Sequence, residues 1–466
     1  MRRYTVLLAL LALTVSVMAQ KPKQATEFST AGLPDELLEW MNKSTSDSDK
    51  QRENTKTVKA FRASYGAMDE RMQERVTAVM NYGVKAKMKG NAEMCPLVRT
   101  LTAYATAPGG GQNLDGWLKV VEAMKKKAAK VKAVMEWVDF SERLLAERVL
   151  YRSQTSEWRF DAKAPFRIEV SDGVATVWFD TPADLFYSSA KDSGTIHGTT
   201  GSYDYKEQLW RGEGGRIDWG RTGLGAEACY AELASYKAET KFPKFTADSA
   251  RLVHTHYFGE PVMGRVEEAL STAMEPGKYS YPRFRSYKRD FVIPNIMPDV
   301  DYSGSFMMNG SKFITSSSKH PASLIFKRGG QRQLSVTAQK FTITPERIVS
   351  ENAAVAFYVG DADSIANTGI TVRYTAADHK VSLINDPKRN FYSPYTDSYH
   401  ELDIYSDIIT WKTDGTELEF TNLSDMTGGT AVFESSNYYT YRKAREIQGI
   451  DEVSPVKRVY DYFGGL

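Results

Sequence analysis

The residues best suited to chemistry in this chain are carboxylates set among aromatic rings. Asp397, Glu401 and Asp403 lie in a stretch that also holds Phe391, Tyr392, Tyr395, Tyr399, His400, Tyr405 and Trp411. A glycoside hydrolase needs a protonated acid, an ionised partner roughly 5 to 9 Å away, and a flat ring face for the sugar. A strand with rings inward and carboxylates outward produces the same letters, and that is the ordinary reading. A second stretch, Lys278 to Arg289, interleaves Lys278, Arg283, Arg285, Lys288 and Arg289 with Tyr279, Tyr281, Phe284 and Tyr287. Cations that meet acidic groups and rings that stack on sugars make Arg283, Arg285, Tyr287, Lys288 and Arg289 the candidate site for an anionic glycan or lipid headgroup. A connector whose rings cover the neighbouring core is the competing reading. His254 and His256, two apart, would share one face of a strand and could hold a metal with Glu260, but no fourth ligand is indicated.

Other signatures point away from chemistry. Gly212-Glu213-Gly214-Gly215 is followed by strand alternation in Arg216-Ile217-Asp218-Trp219 rather than by a helix start, so it reads as a tight turn, not a phosphate loop. Asp361-Ala362-Asp363-Ser364 begins like a calcium loop but continues with Ile365 and lacks the glycine such a loop requires. The lysines from Lys125 to Lys132 read as a wet helix face. No nucleophile elbow, zinc-binding helix or paired-cysteine motif occurs, and no cofactor is expected. Cys95 and Cys229 are 134 residues apart, which leaves one bridge or two buried thiols as the alternatives.

The elements that must position these groups change character along the chain. Residues 1–19 carry Arg2 and Arg3, an apolar run, and Val17-Met18-Ala19, the pattern of a cleavable signal peptide too short to span a bilayer. From Pro34 to about Arg152 apolar residues recur at helical spacing, as in Val58, Phe61 and Tyr65 or Met72, Val76 and Val79, with Gly66, Gly83 and Gly90 as punctuation. Beyond residue 160 the period becomes two. Hairpins are expected at 166–179 around Asp172-Gly173 and at 408–420 around Asp414-Gly415, with short strands at 323–326, 334–337, 353–359, 370–374 and 381–384. One helix is expected from Pro261 to Met274. A tripeptide echo at Lys244-Phe245-Thr246, Lys312-Phe313-Ile314 and Lys340-Phe341-Thr342 suggests stacked strands, solenoid-like or sandwich-like. The fold class is therefore α+β: a signal peptide (1–19), a helical bundle (20–155), a β-rich domain with one helix (156–290) and a second β-rich domain (291–466).

Charge bounds the partners. The 466 residues hold 60 Lys and Arg against 58 Asp and Glu. The excess of +2 sits in Arg2 and Arg3, so export leaves a neutral chain, which argues against a nucleic-acid-binding protein. Residues 20–150 carry 22 basic and 17 acidic side chains, so the rest is acidic by as much, a division that favours docking of the helical part on the β part. No stretch of about 20 apolar residues follows the leader, so no transmembrane helix is expected.

Gly214-Gly215-Arg216-Ile217-Asp218-Trp219, Thr246-Ala247-Asp248-Ser249, Asp363-Ser364-Ile365, the run Asp397 to Tyr405, and Phe433-Glu434-Ser435 resemble segments of large, functionally uncharacterised exported proteins of Gram-negative bacteria of the Bacteroidota type. The resemblance covers about the last 270 residues. It implies a periplasmic, cell-surface or secreted location, and a chain that is the N-terminal portion of a larger protein or a truncated one; it supplies no catalytic residue. The leading expectation is a non-catalytic exported scaffold or binding protein whose partner is an envelope component or a glycan. The alternatives are a carbohydrate-active enzyme using the 397–403 carboxylates and an assembly factor carrying lipid or glycan along a β-groove.

Overall fold

A computed structural model describes residues 27–108, 110–270, 275, 277–315, 320–386, 393–423, 429–437, 459 and 462. The expected signal peptide, and Phe391 and Tyr392 of the aromatic cluster, lie outside the described residues. Six helices come first: α1 (Leu33–Lys43), α2 (Ser48–Gly66), α3 (Glu70–Lys85), α4 (Cys95–Thr106), α5 (Gly110–Lys126) and α6 (Val131–Glu147). Their starts follow local chemistry. Pro34 stands in the first turn of α1, and the carboxylates of Asp47 and Asp69 accept from backbone N–H groups at the heads of α2 and α3. The apolar residues between Trp117 and Val138 are shared by two helices, α5 and α6, with Ala128 at φ +49° between them. Gly83 does not break its helix. It lies inside α3, where a Cβ would meet Met94 Cε at 2.7 Å, so the glycine admits two methionine side chains against the backbone.

The chain divides into two compact units, Met1–Gly215 with Lys237–Pro243, and Arg216–Tyr236 with Lys244–Leu466. Contacts, rather than the composition change near residue 155, set this division. The first unit joins the helices to β1 (Val149–Arg152), β2 (Ser156–Phe160), β3 (Arg167–Ser171), β4 (Val174–Ser189), β5 (Ser193–Asp204) and β6 (Leu209–Glu213). Strands β3 and β4 form the expected hairpin, with Asp172 and Gly173 both at positive φ as a two-residue turn requires. Helix α5 lies directly on β3: Asn113 Nδ2 donates to the Phe166 carbonyl at 3.0 Å, and a Cβ on Gly116 would meet the Ile168 carbonyl oxygen at 2.3 Å. Helix α6 meets β5 and the turn after it through Trp137 on Tyr205 (5.1 Å between ring centres) and Phe140 on Tyr203 (5.9 Å). Buried Trp117 donates to Ser141 Oγ at 2.9 Å, and Tyr104 donates to the Ser141 carbonyl at 3.0 Å. Rings and close backbone approach thus make this docking surface.

The second unit continues with β7 (Arg216–Asp218), β8 (Cys229–Glu239, whose last residues belong to the first unit), β9 (Lys244–His254), β10 (Val262–Ala269), β11 (Arg283–Ser286), β12 (Phe291–Met297), β13 (Val300–Gly304), β14 (Met307–Asn309), β15 (Lys312–Ile314), β16 (Ala322–Arg328) and β17 (Gln331–Ala338). It then runs through β18 (Phe341–Thr344), β19 (Arg347–Val359), β20 (Asp363–Thr375), β21 (Lys380–Ile384), β22 (Tyr395–Asp397), β23 (Leu402–Tyr405), β24 (Ile408–Lys412), β25 (Leu418–Thr421) and β26 (Val432–Ser435). The expected helix at 261–274 is instead strand β10 in its described part. Val262 and Val266 fit both periods, but Met263 and Arg265 are exposed while Gly264 is buried. Pairing with β9 on one side and β11 on the other decides the matter, and Gly264 makes room for the Phe284 ring.

Hairpins of this unit join two layers in turn, with antiparallel pairing along each. One layer runs β9, β10, β11, β14, β15, β18, then the first half of β19, the second half of β20, β21, β24 and β25. The other runs β12, β13, β16, β17, then the second half of β19, the first half of β20, β22, β23 and β26. Rings on the inner faces meet across the layers: Tyr302 on Phe313 at 5.1 Å, Phe326 on Tyr374 at 5.4 Å, and Phe357 on Trp411 at 5.1 Å. The arrangement is a sandwich in its facing layers and solenoid-like in its repeated step. The echoed tripeptides at 312 and 340 fall on β15 and at the start of β18, which are hydrogen-bonded neighbours, and both phenylalanines point inward.

Replacing Gly116 with Ala should lower unfolding free energy on the order of 2 kcal/mol, because the new methyl meets backbone that has no rotamer to yield. Urea denaturation would show a lower midpoint at unchanged slope.

Candidate functional site

The three carboxylates do not share one face of their hairpin. Asp397 ends β22 and is buried; its Oδ1 accepts from the backbone N–H of Tyr399 (3.0 Å) and His400 (3.1 Å), and its Oδ2 lies 2.8 Å from His400 Nδ1. It is spent on holding the 398–401 turn. Asp403 opposes Thr396 in the β22–β23 hairpin while Asp397 opposes Leu402, so alternation sends the Asp397 and Asp403 side chains to opposite faces. Glu401 occupies that exposed turn at φ +55°, bonded to Asn437. Ser398 Oγ donates to Asp363 Oδ1 at 2.9 Å, so the Asp361–Ser364 segment is tied into the same turn.

The histidines also separate. Strand β9 stops at His254, leaving His256 in the following turn, exposed, with ring centres 6.5 Å apart. Glu260 is exposed, and among the described residues no group of three metal-ligating side chains occurs. The expectation of a shared strand face therefore fails because the strand ends before His256. His254 is buried against Tyr257 at 4.4 Å, and burial, helped by the neighbouring His256, pushes its pKa down to about 4. Cys95 and Cys229 are free and buried, and burial pushes both thiols up.

The basic aromatic segment is split by the pleat of β11. Phe284 points into the core, whereas Arg283 and Arg285 share the outer face. Arg283 donates to the Ser280 carbonyl at 3.1 Å and lies over Tyr281, Lys288 lies over Phe291, and the Tyr287 hydroxyl donates to the Asp248 carbonyl. Arg285 faces Arg265 across the ladder, and Arg265 pairs with Asp248 and Glu267. Arg289 is exposed. Three of the five candidates thus serve local contacts.

Further along the same outer face lies a feature that no sequence motif announces. A depression of about 510 Å³ is lined by Gln339, Lys340, Thr342, Val349, Ser350, Glu351 and Asn352. A second, of about 390 Å³, is lined by Arg373, Lys380, Ser382, Ile384, Ile408, Thr410, Glu419 and Thr421. Register joins them: Thr342 opposes Val349, Val349 opposes Arg373, and Arg373, Ser382, Thr410 and Glu419 follow strand by strand. At about 4.8 Å per strand this row extends roughly 24 Å across β18 to β25. Its residues come from separate hairpin arms, so spacing along the chain does not reveal it; the single sequence signal was Lys340, in the echoed tripeptide.

No family model, curated protein or solved structure matches this chain. Function is therefore legible only in the geometry. No helix among the described residues is long and apolar enough to cross a membrane.

His254 supplies a pH test. A histidine whose folded pKa lies near 4, below its unfolded value near 6.5, stays neutral in the native state, so stability is intact above pH 6.5 and falls as pH drops toward 4. The loss should reach about 3 kcal/mol by pH 4. His254→Phe, which keeps a ring against Tyr257, should remove that component from the pH profile of urea denaturation; an unchanged profile would contradict the assignment.

Proposed function

We propose that this chain is a non-catalytic, exported binding scaffold of the bacterial cell envelope or surface, which holds a glycan or another envelope component against the outer face of a β-layer. The observation that carries the reading is the fate of the carboxylates. Asp397 is saturated by backbone and imidazole hydrogen bonds, and Asp403 emerges on the opposite face, so the acid and base of a glycosidase have no common substrate position. The ring-filled interior of the second unit supports surface binding over carriage of a lipid between the layers. Export and envelope location rest on the leader-like residues 1–19 and on the resemblance in the later segments.

A glycan array combined with a hydrolysis screen of the chain lacking residues 1–19 tests this reading. Binding without turnover is expected. Turnover abolished by Asp397→Asn, Glu401→Gln or Asp403→Asn would replace the scaffold with the enzyme. Asp397→Ala should also cost about 1 kcal/mol of stability, since it removes the acceptor of two backbone N–H groups that shape the turn; thermal unfolding would register it.

A further inference from the structure

Some cations on the exposed surfaces of the second unit are answered by a carboxylate. Arg216 pairs with Glu227 at 2.7 Å, Arg251 with Glu232 at 2.6 Å, Arg265 with Asp248 at 3.4 Å, and Lys327 with Asp301 at 2.8 Å. The row joining the two depressions gathers cations that are not. Lys340, Arg373 and Lys380 are exposed, and among the described residues none of the three has an ion-pair or hydrogen-bond partner for its charged group. Glu351 and Glu419 line the same floor yet pair with none of them. Between the charges stand half-buried hydroxyls, Thr342, Ser382, Thr410 and Thr421, fixed on paired strands.

We propose that this trough, from Lys340 to Glu419, is the binding site of an extended acidic oligosaccharide, with Arg373 as its central anchor. The inference rests on the binding-scaffold reading and adds the site and the ligand class. Arg373 sits mid-row, between Val349 and Ser382, so its planar guanidinium is available for bidentate contact with a uronate or sulfate group. Lys340 supplies a further point charge at the β18 end, and Lys380, on the strand paired with that of Arg373, supplies another near the centre. The hydroxyls match the donors and acceptors of sugar hydroxyls, and half-buried Ile384 and Ile408 offer a small apolar floor to a sugar ring face. Among the described residues no aromatic side chain lines either depression, which disfavours single-stranded nucleic acid, whose bases need stacking platforms.

The test is calorimetric titration of the chain lacking residues 1–19 with an oligogalacturonate, a heparin-derived oligosaccharide and a neutral cello-oligosaccharide, each paired with hydrogen-exchange footprinting. The acidic probes should bind and the neutral one should bind at least tenfold more weakly. Arg373→Gln should weaken acidic binding at least tenfold and Lys380→Gln several-fold, while Arg285→Gln, on the same layer outside the trough, should change it less than twofold. Protection should appear over residues 340–352, 373–384 and 408–421. Acidic binding that survives Arg373→Gln and Lys380→Gln, with protection elsewhere, overturns the site and leaves the scaffold reading standing. Absence of binding to all three probes overturns both. Equal competition by single-stranded DNA of matched charge reduces the trough to an ion-exchange face and overturns the ligand class.

Discussion

Everything in the second unit depends on its filled interior. Strand alternation sends every second side chain inward, and the rings that arrive there meet partners from the facing layer at 5.1 to 5.4 Å. Phe313, Phe326, Tyr302 and Tyr374 are all essentially inaccessible to water, so this space is a core rather than a channel. Such a core fixes register, because a one-residue slip would turn its rings out to solvent. It also fixes where function can reside. With the inner faces committed to one another, only outer faces, edges and turns remain to meet another molecule.

The same constraint explains the position of the first depression. Strands β19 and β20 are long enough to serve both layers, and the ladder between them is irregular from Ser350 to Ala353 and on to Val355. A bulge bends a strand and disrupts its pairing locally, as a change of layer requires. Asn352 takes φ +57° within it, and Ser350 Oγ donates to the Lys340 carbonyl at 2.8 Å, tying the bulge to the end of the neighbouring arm. Lys340, Ser350, Glu351 and Asn352 all line the depression. The device that passes the chain between layers therefore also hollows the outer surface beside it.

What could be read from the sequence was whatever depends on neighbours in sequence. The 166–179 and 408–420 hairpins carry their turns as Asp-Gly pairs, and the first helix carries its start signal in Pro34. Residues 262–269 misled because Val262 and Val266 satisfy either period, and pairing on both edges decided for the strand. The carboxylate cluster shows the same dependence: Asp397 and Asp403 are six apart, but a turn intervenes, and hairpin register rather than spacing sets their faces. The trough was illegible because Thr342, Val349, Arg373, Ser382, Thr410 and Glu419 are separated by 7 to 28 residues and become neighbours only through pairing.

Net charge averages over the whole chain, whereas local pairing shows which cations are held by the protein itself. The balance of acids and bases in the chain beyond Ala19 conceals a surface on which some cations are answered and others are not. An exposed ion pair contributes only about 0 to 1 kcal/mol, so leaving Arg373 or Lys380 without a carboxylate costs the fold little. Unanswered cations gathered in a depression carry a different implication. There the arginine fork is held on a paired strand with no internal acceptor to displace, so a ligand anion need not compete with the protein's own carboxylates. On the paired surface around Arg265, by contrast, any anion must first break contacts with Asp248 and Glu267. Arg265 and Arg373, on the same outer face, thus differ in availability because Arg265 holds carboxylate partners and Arg373, among the described residues, holds none.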